Sequence, residues 1–169
     1  MSRHGIISTA AILGVVALIA TGCAESRHEE NMAAKVSVKD QWAKSAETGT
    51  TAVFGTFENS GDRGARIVSG TSPASETVEL HEVVPNGAGS NIMRPKEGGF
   101  TIPAGGSHEL IPGGAHLMLM DLKGPLSPGA DVTVTLEFED GSTLPVTAQV
   151  RDFAGGEENY QPATPHDHG

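Results

Sequence analysis

Between residues 80 and 120 a histidine and a methionine, His81 and Met93, are answered by a second such pair, His116 and Met118. Met93, Met118 and Met120 all lie in this stretch, leaving only Met32 elsewhere beyond the initiator. Imidazole nitrogen and thioether sulfur together suit a soft, copper-like ion in its reduced state. If residues 116–121 form a strand, its period of two sends His116, Met118 and Met120 to one face and Leu117 and Leu119 to the other. Same-face neighbours then stand ~6.6 Å apart at Cα, close enough for an imidazole and a thioether to converge on one ion. On an earlier strand, Glu79, His81 and Val83 share a face opposite Val78 and Leu80, which places His81 on the more polar side. A ligand at the solvent edge of a sheet is what an ion that must be passed on requires. Met120 is an auxiliary donor on this reading, or a core residue, since a lone strand methionine usually fills core. His108 has no recognisable partner and is expected to be exposed.

Short β-type runs bounded by Gly, Pro, Asn and Asp must position these side chains. Candidate strands cover 35–38, 51–58, 65–69, 77–84, 91–93, 99–102, 108–111, 116–121, 131–138 and 144–150. Residues 131–138 alternate cleanly, Val132, Val134, Leu136 and Phe138 against Thr133, Thr135 and Glu137. Glu139-Asp140-Gly141-Ser142 is hairpin chemistry between its flanking strands. Most prolines fall at or near run boundaries, but Pro145 lies inside a run and marks the start of that strand as an edge. No helical periodicity longer than two turns is found. The pattern predicts an all-β, Greek-key β-sandwich built as a single domain over residues 35–153.

The ends read differently. Ile6 to Ala20 is an apolar run after a weakly basic start, too short to span a membrane, and it reads as a signal peptide over residues 1–22. Cys23 follows Ala20-Thr21-Gly22 as the lipidated residue follows a bacterial lipobox. Residues 23–34 are then its tether, and residues 154–169 a disordered tail ending His166-Asp167-His168. Cys23 is the single cysteine, which excludes an intramolecular disulfide, a cysteine zinc site and a blue-copper thiolate. With 11 Lys+Arg against 21 Asp+Glu the formal net charge is −10, and loss of Arg3 with the leader makes it −11. Such acidity argues against nucleic acid and against electrostatic attraction to anionic lipid, leaving the lipid on Cys23 as the route to a membrane.

Leu80-His81-Glu82, Met93-Arg94-Pro95, Glu97-Gly98-Gly99, Ile102-Pro103-Ala104-Gly105-Gly106, Pro112-Gly113-Gly114 and His116-Leu117-Met118-Leu119-Met120 occur in that order. Over residues 77–122 the chain resembles the periplasmic copper chaperones of the PCu(A)C type, marked by a His…Met…His-x-Met pattern. The resemblance implies a cupredoxin-like or immunoglobulin-like sandwich that binds one Cu(I) at its surface through His81, Met93, His116 and Met118. It also implies transfer to a copper-acceptor protein, towards the copper centres of cytochrome oxidase. Two departures stand out: Val83 occupies a position where the family often has methionine, and the 11 residues between His81 and Met93 are one more than usual. A loop at 85–90 can absorb the extra residue cheaply. The tail's His166 and His168 offer donors suited to Cu(II) as an auxiliary site. No nucleophile–base arrangement of the hydrolytic kind is present, so the protein is expected to be a monomeric carrier rather than an enzyme. Copper affinity should be flat above neutral pH and fall on acidification, because protons compete for imidazole but not for thioether. The competing reading is a lipid-anchored interaction scaffold in which the His and Met residues are incidental.

Overall fold

The alternation over residues 131–138 is realised as a strand whose Val132, Val134, Leu136 and Phe138 are buried while Asp131 and Glu137 face solvent. The computed structural model describes residues 31–87, 90–155 and 159–160. Among these a short helix, α1 (Met32–Lys35), precedes the strands β1 (Val36–Lys44), β2 (Thr51–Asn59), β3 (Ala65–Thr71), β4 (Ser75–Pro85) and β5 (Asn91–Pro95). There follow β6 (Phe100–Ile102), β7 (Ser107–Leu110), β8 (His116–Leu122), β9 (Asp131–Phe138), β10 (Thr143–Arg151) and β11 (Asn159–Tyr160).

Hydrogen-bonded neighbours run β3-β4-β8-β2-β1-β10-β9 and return to β3, so seven strands close into a barrel. The closing seam between β3 and β4 is narrow, with Gly70 opposite Val78. Four further strands are appended: β5 on β4, β11 on β5, β6 on β3 and β7 on β2. The non-sequential strand order is the all-β Greek-key architecture expected, in barrel form. Inside it Val53, Phe57, Ile67, Leu80, Phe100, Ile102, Leu117, Leu119, Val134, Leu136 and Phe138 form one cluster, each 7% exposed or less. Closure fixes register here, because a slip of one residue would turn each strand's apolar set outward.

Local chemistry explains the details. Pro145 lies where β10 pairs with β9 alone, since β1 joins β10 only from Gln149 onward, so no ladder bond is lost on its other side. Gly99 precedes β6 with φ +74°, and a Cβ there would lie 1.9 Å from the carbonyl oxygen of Ile67; only glycine fits.

Three differences from the sequence reading have physical causes. β1 runs on to Lys44 because a bulge between Lys39 and Trp42, with Asp40 at φ +52°, shifts the phase of its alternation. The end of the expected tether is helix: Asn31 caps α1, and the Met32 and Ala33 amides donate to Asp140 Oδ2 at 2.7 Å and Ser142 Oγ at 3.1 Å. That docking turns the β9–β10 turn into an anchor for the start of the domain. Finally, part of the stretch expected to be disordered tail is strand, since β11 runs parallel to β5 with Tyr160 in register with Met93.

Candidate metal centre

β4 and β8 lie side by side, and their antiparallel register sets His81 opposite His116 and Glu79 opposite Met118. The β4–β5 hairpin sets Met93 opposite Val83. The Asn86 amide donates to the Ser90 carbonyl at 2.9 Å where the hairpin turns. Glu79, His81, Met93, His116 and Met118 therefore share one face of three adjacent strands. Leu80, Leu117 and Leu119 point the other way into the main core, and none of the four donors belongs to that core.

The donors are nonetheless covered. His81 is 0% exposed, His116 3%, Met93 5% and Met118 8%, which corrects the expectation of ligands at a solvent edge. An aromatic layer lies beside them on the outer face. The Phe54 ring is 6.1 Å from that of His116, Trp42 is 4.6 Å from Phe54, and Phe153 packs edge-on to Trp42 at 5.2 Å. The sequence reading missed this layer. Its signal was the adjacent pair Val53-Phe54, both buried, one facing each side of β2. Access is by a cleft of about 260 Å³ lined by Met93, His116 and Met118 together with Phe54, Lys44 and Gly155. Lys44 Nζ donates to the Gly155 carbonyl at 3.2 Å across it. His81 sits behind these residues.

Hydrogen bonds define which nitrogens can donate to an ion. His116 Nδ1 lies 2.9 Å from the Gly114 carbonyl oxygen, which can only accept, so Nδ1 carries the proton and Nε2 the lone pair of the neutral ring. Nε2 lies 2.8 Å from Met93 Sδ, well inside the about 3.5 Å at which uncharged heavy atoms rest. Two lone pairs this close require something electron-poor between them: a proton or a metal ion. His81 is the converse case. Its Nε2 donates to Glu79 Oε2 at 2.7 Å, so Nδ1 holds the lone pair of its neutral ring. The two rings meet edge-to-face with centroids 5.5 Å apart. This donor set fits a soft ion. Among the described residues no three His, Cys, Asp or Glu side chains gather as a site for a harder one.

The hairpin that carries Met93 is pinned on its other face. Glu82 pairs with Arg94 Nη2 at 2.9 Å and Lys96 Nζ at 2.8 Å. The hydrogen bond from Lys96 holds the Glu82 carboxyl below its usual range; burial opposes this, and Arg94 reinforces it.

The remaining candidates separate. Met120 is half-buried opposite Thr77, outside both the core cluster and the cleft lining. His108 is not exposed but half-buried, stacked on Phe100 with centroids 5.1 Å apart. Its Nε2 is buried without a hydrogen-bond partner, and burial, helped by the Lys96 charge, lowers its pKa. Cys23, His166 and His168 lie outside the described residues.

Residues 36–150 match the family described as "Putative lipoprotein LpqE-like". The chain belongs to that lipoprotein family. "Putative lipoprotein Lxx21020" of Leifsonia xyli subsp. xyli is 42% identical over 166 residues, covering 95% of this chain and 99% of that one. Among solved structures, the copper-bound PCuAC domain from PmoF2 is similar in fold, with a TM-score of 0.58 at 21% identity, covering 70% of this chain and 94% of that one. Cu(I)-bound DR1885 from Deinococcus radiodurans is 31% identical with a TM-score of 0.51, covering 71% and 82%. The LpqE-like chain thus shares the fold of the PCuAC domains.

Proposed function

We propose that this lipoprotein is a metallochaperone rather than an enzyme. It holds one Cu(I) between His81, Met93, His116 and Met118 and passes it to a copper-acceptor protein outside the cytoplasm. The observation that carries this reading is the 2.8 Å approach of His116 Nε2 to Met93 Sδ. A first-row ion with bonds of about 2.0 Å to nitrogen and about 2.3 Å to sulfur, at a near-tetrahedral angle, would set these atoms about 3.5 Å apart. Loading therefore asks for roughly 0.7 Å of ligand movement, not a rebuilt site. The Cu(I)-bound relative DR1885 supports copper as the cargo.

Burial supports the monovalent state. The desolvation cost of an ion scales with the square of its charge, so a divalent ion pays roughly four times what a monovalent one does in the same covered site. Four uncharged ligands, two of them thioethers, suit the monovalent ion. The same neutrality eases release, because no thiolate has to be expelled when an acceptor's donors enter by the cleft beside Met93, His116 and Met118. The family's lipoprotein description supports export, with Cys23 lipidated and the domain held at the outer face of the cell membrane. Cytochrome oxidase copper centres are the destination that the PCuAC resemblance implies.

The test is an anaerobic Cu(I) titration of the protein against a competing chromogenic chelator. One equivalent should bind tightly, survive the double substitution His166→Ala/His168→Ala, and be lost in His116→Ala/Met118→Ala. Binding lost with the tail histidines alone would move the copper to the C-terminus. No binding at all would return the domain to the scaffold reading.

A further inference from the structure

The copper reading leaves one charged side chain on the donor face without a role. Glu79 lies two residues before His81 on β4 and opposite Met118 on β8, so its side chain shares the face of the four donors. It is 34% exposed, while the imidazole it holds is fully buried. Its Oε2 accepts from His81 Nε2 at 2.7 Å, the length of a charge-assisted hydrogen bond. Resting on the copper reading, we infer that Glu79 is the positioning residue of the site: it fixes the tautomer of His81 so that Nδ1 is the nitrogen that meets the ion.

Three considerations carry this. An imidazole with one nitrogen donating to a carboxylate has its ring orientation and its ligating nitrogen chosen in advance, and such outer partners raise ligand basicity. His116 is set by a different device, its Nδ1 proton held by the Gly114 carbonyl, so the two histidines present opposite nitrogens: Nε2 from His116 and Nδ1 from His81. Charge supplies the third. Two imidazoles and two thioethers leave the positive charge of a buried cation uncompensated, and the Glu79 carboxylate, one imidazole away and still partly solvated, offsets it.

Glu79→Ala removes both hydrogen bond and charge, whereas Glu79→Gln keeps an acceptor oxygen and removes only the charge. Nitrogen-15 NMR of the copper-free protein reads the His81 tautomer directly, and chelator competition reads Cu(I) affinity. Wild type should show the proton on Nε2 of His81. Glu79→Ala should lose that preference and bind Cu(I) about 10–100-fold more weakly. Glu79→Gln should keep the tautomer and recover part of the affinity, a rescue that a merely space-filling role would not produce. The inference is overturned if Glu79→Ala retains the tautomer, if it loses the tautomer without losing affinity, or if Glu79→Gln is as weak as Glu79→Ala. A wild-type protein that shows the tautomer but binds no Cu(I) would overturn the copper reading, and this role with it. Failure confined to the variants would leave copper binding standing.

Discussion

Replacing Met93 by leucine separates the thioether from the space it fills. Met93 is 5% exposed on β5, and a Met-to-Leu exchange of similar volume costs under about 1.5 kcal/mol in a packed site. The lost sulfur is another matter. Removing an outer-shell partner already costs about 10–100-fold in metal affinity, so removing a ligand should cost at least the upper end, about 2.8 kcal/mol at about 1.4 kcal/mol per decade. Linkage converts this into a melting experiment. Cu(I) at about 100 times its Kd stabilises the folded wild type by about 2.7 kcal/mol, whereas a 100-fold weaker variant at the same concentration gains only about 0.4 kcal/mol. A domain of this size shifts about 4 °C per kcal/mol. The copper-induced rise in Tm should therefore be about 11 °C in wild type and under about 2 °C in Met93→Leu. Trp42, the single tryptophan, reports the melt and stands one ring, Phe54, away from His116. Melts would be run anaerobically with and without Cu(I). A variant that keeps the full copper-induced shift would refute Met93 as a ligand.

Two further substitutions test the frame. Gly99→Ala places a methyl against the Ile67 carbonyl in a backbone region costing about 1–2 kcal/mol for an alanine. Gly141→Ala, at φ +79° but with nothing within 4 Å, meets the conformational cost alone. Urea unfolding should show Gly99→Ala the more destabilised by well over 1 kcal/mol, about the whole cost of the conformation itself; equal losses would mean that the approach to β3 is not a constraint. His108, its pKa lowered chiefly by burial, resists in the fold a proton that the unfolded chain accepts near 6.5. The unfolded state thus binds more protons as pH falls below 6.5, and stability drops until the folded pKa is passed. His108→Phe, which keeps the ring on Phe100, should flatten that part of the acid limb in a urea series. An unchanged slope from pH 7 to 5 would show that His108 is not its source.

What could be read in the sequence was whatever repeats with a period. Alternation in β9 and turn chemistry at residues 139–142 located their hairpin, and the two-residue spacing of His116 and Met118 put both on one face of β8 before any neighbour was known. What could not be read was anything depending on which strands become neighbours. The bulge at residues 39–42 hid the second half of β1, and with it Trp42. Glu79 looked like one more charge on a polar face, because its partner His81 lies on its own strand and the other candidate donors lie on neighbouring ones. The burial of the donors was invisible for the same cause: a face polar in sequence was assumed wet, yet Phe54 from β2 packs beside His116, with Trp42 from β1 against Phe54.

The barrel uses β4 and β8 twice. Their Leu80, Leu117 and Leu119 side fills the main core, and the alternate side carries His81, His116 and Met118. The packing that fixes register inside therefore fixes the spacing of these three donors outside, with no contribution from a loop. Met93 is held differently. β5 lies outside the closed ring, with β4 on one side and only the two residues of β11 on the other. Its sulfur sits 2.8 Å from His116 Nε2. On the copper reading, a site with three donors set by a closed barrel and one on an appended strand opens by the roughly 0.7 Å that loading would require without loosening the core. The fourth donor is then the natural point at which an incoming ligand set begins its exchange, and for that reason Met93→Leu is the substitution that most directly tests the site.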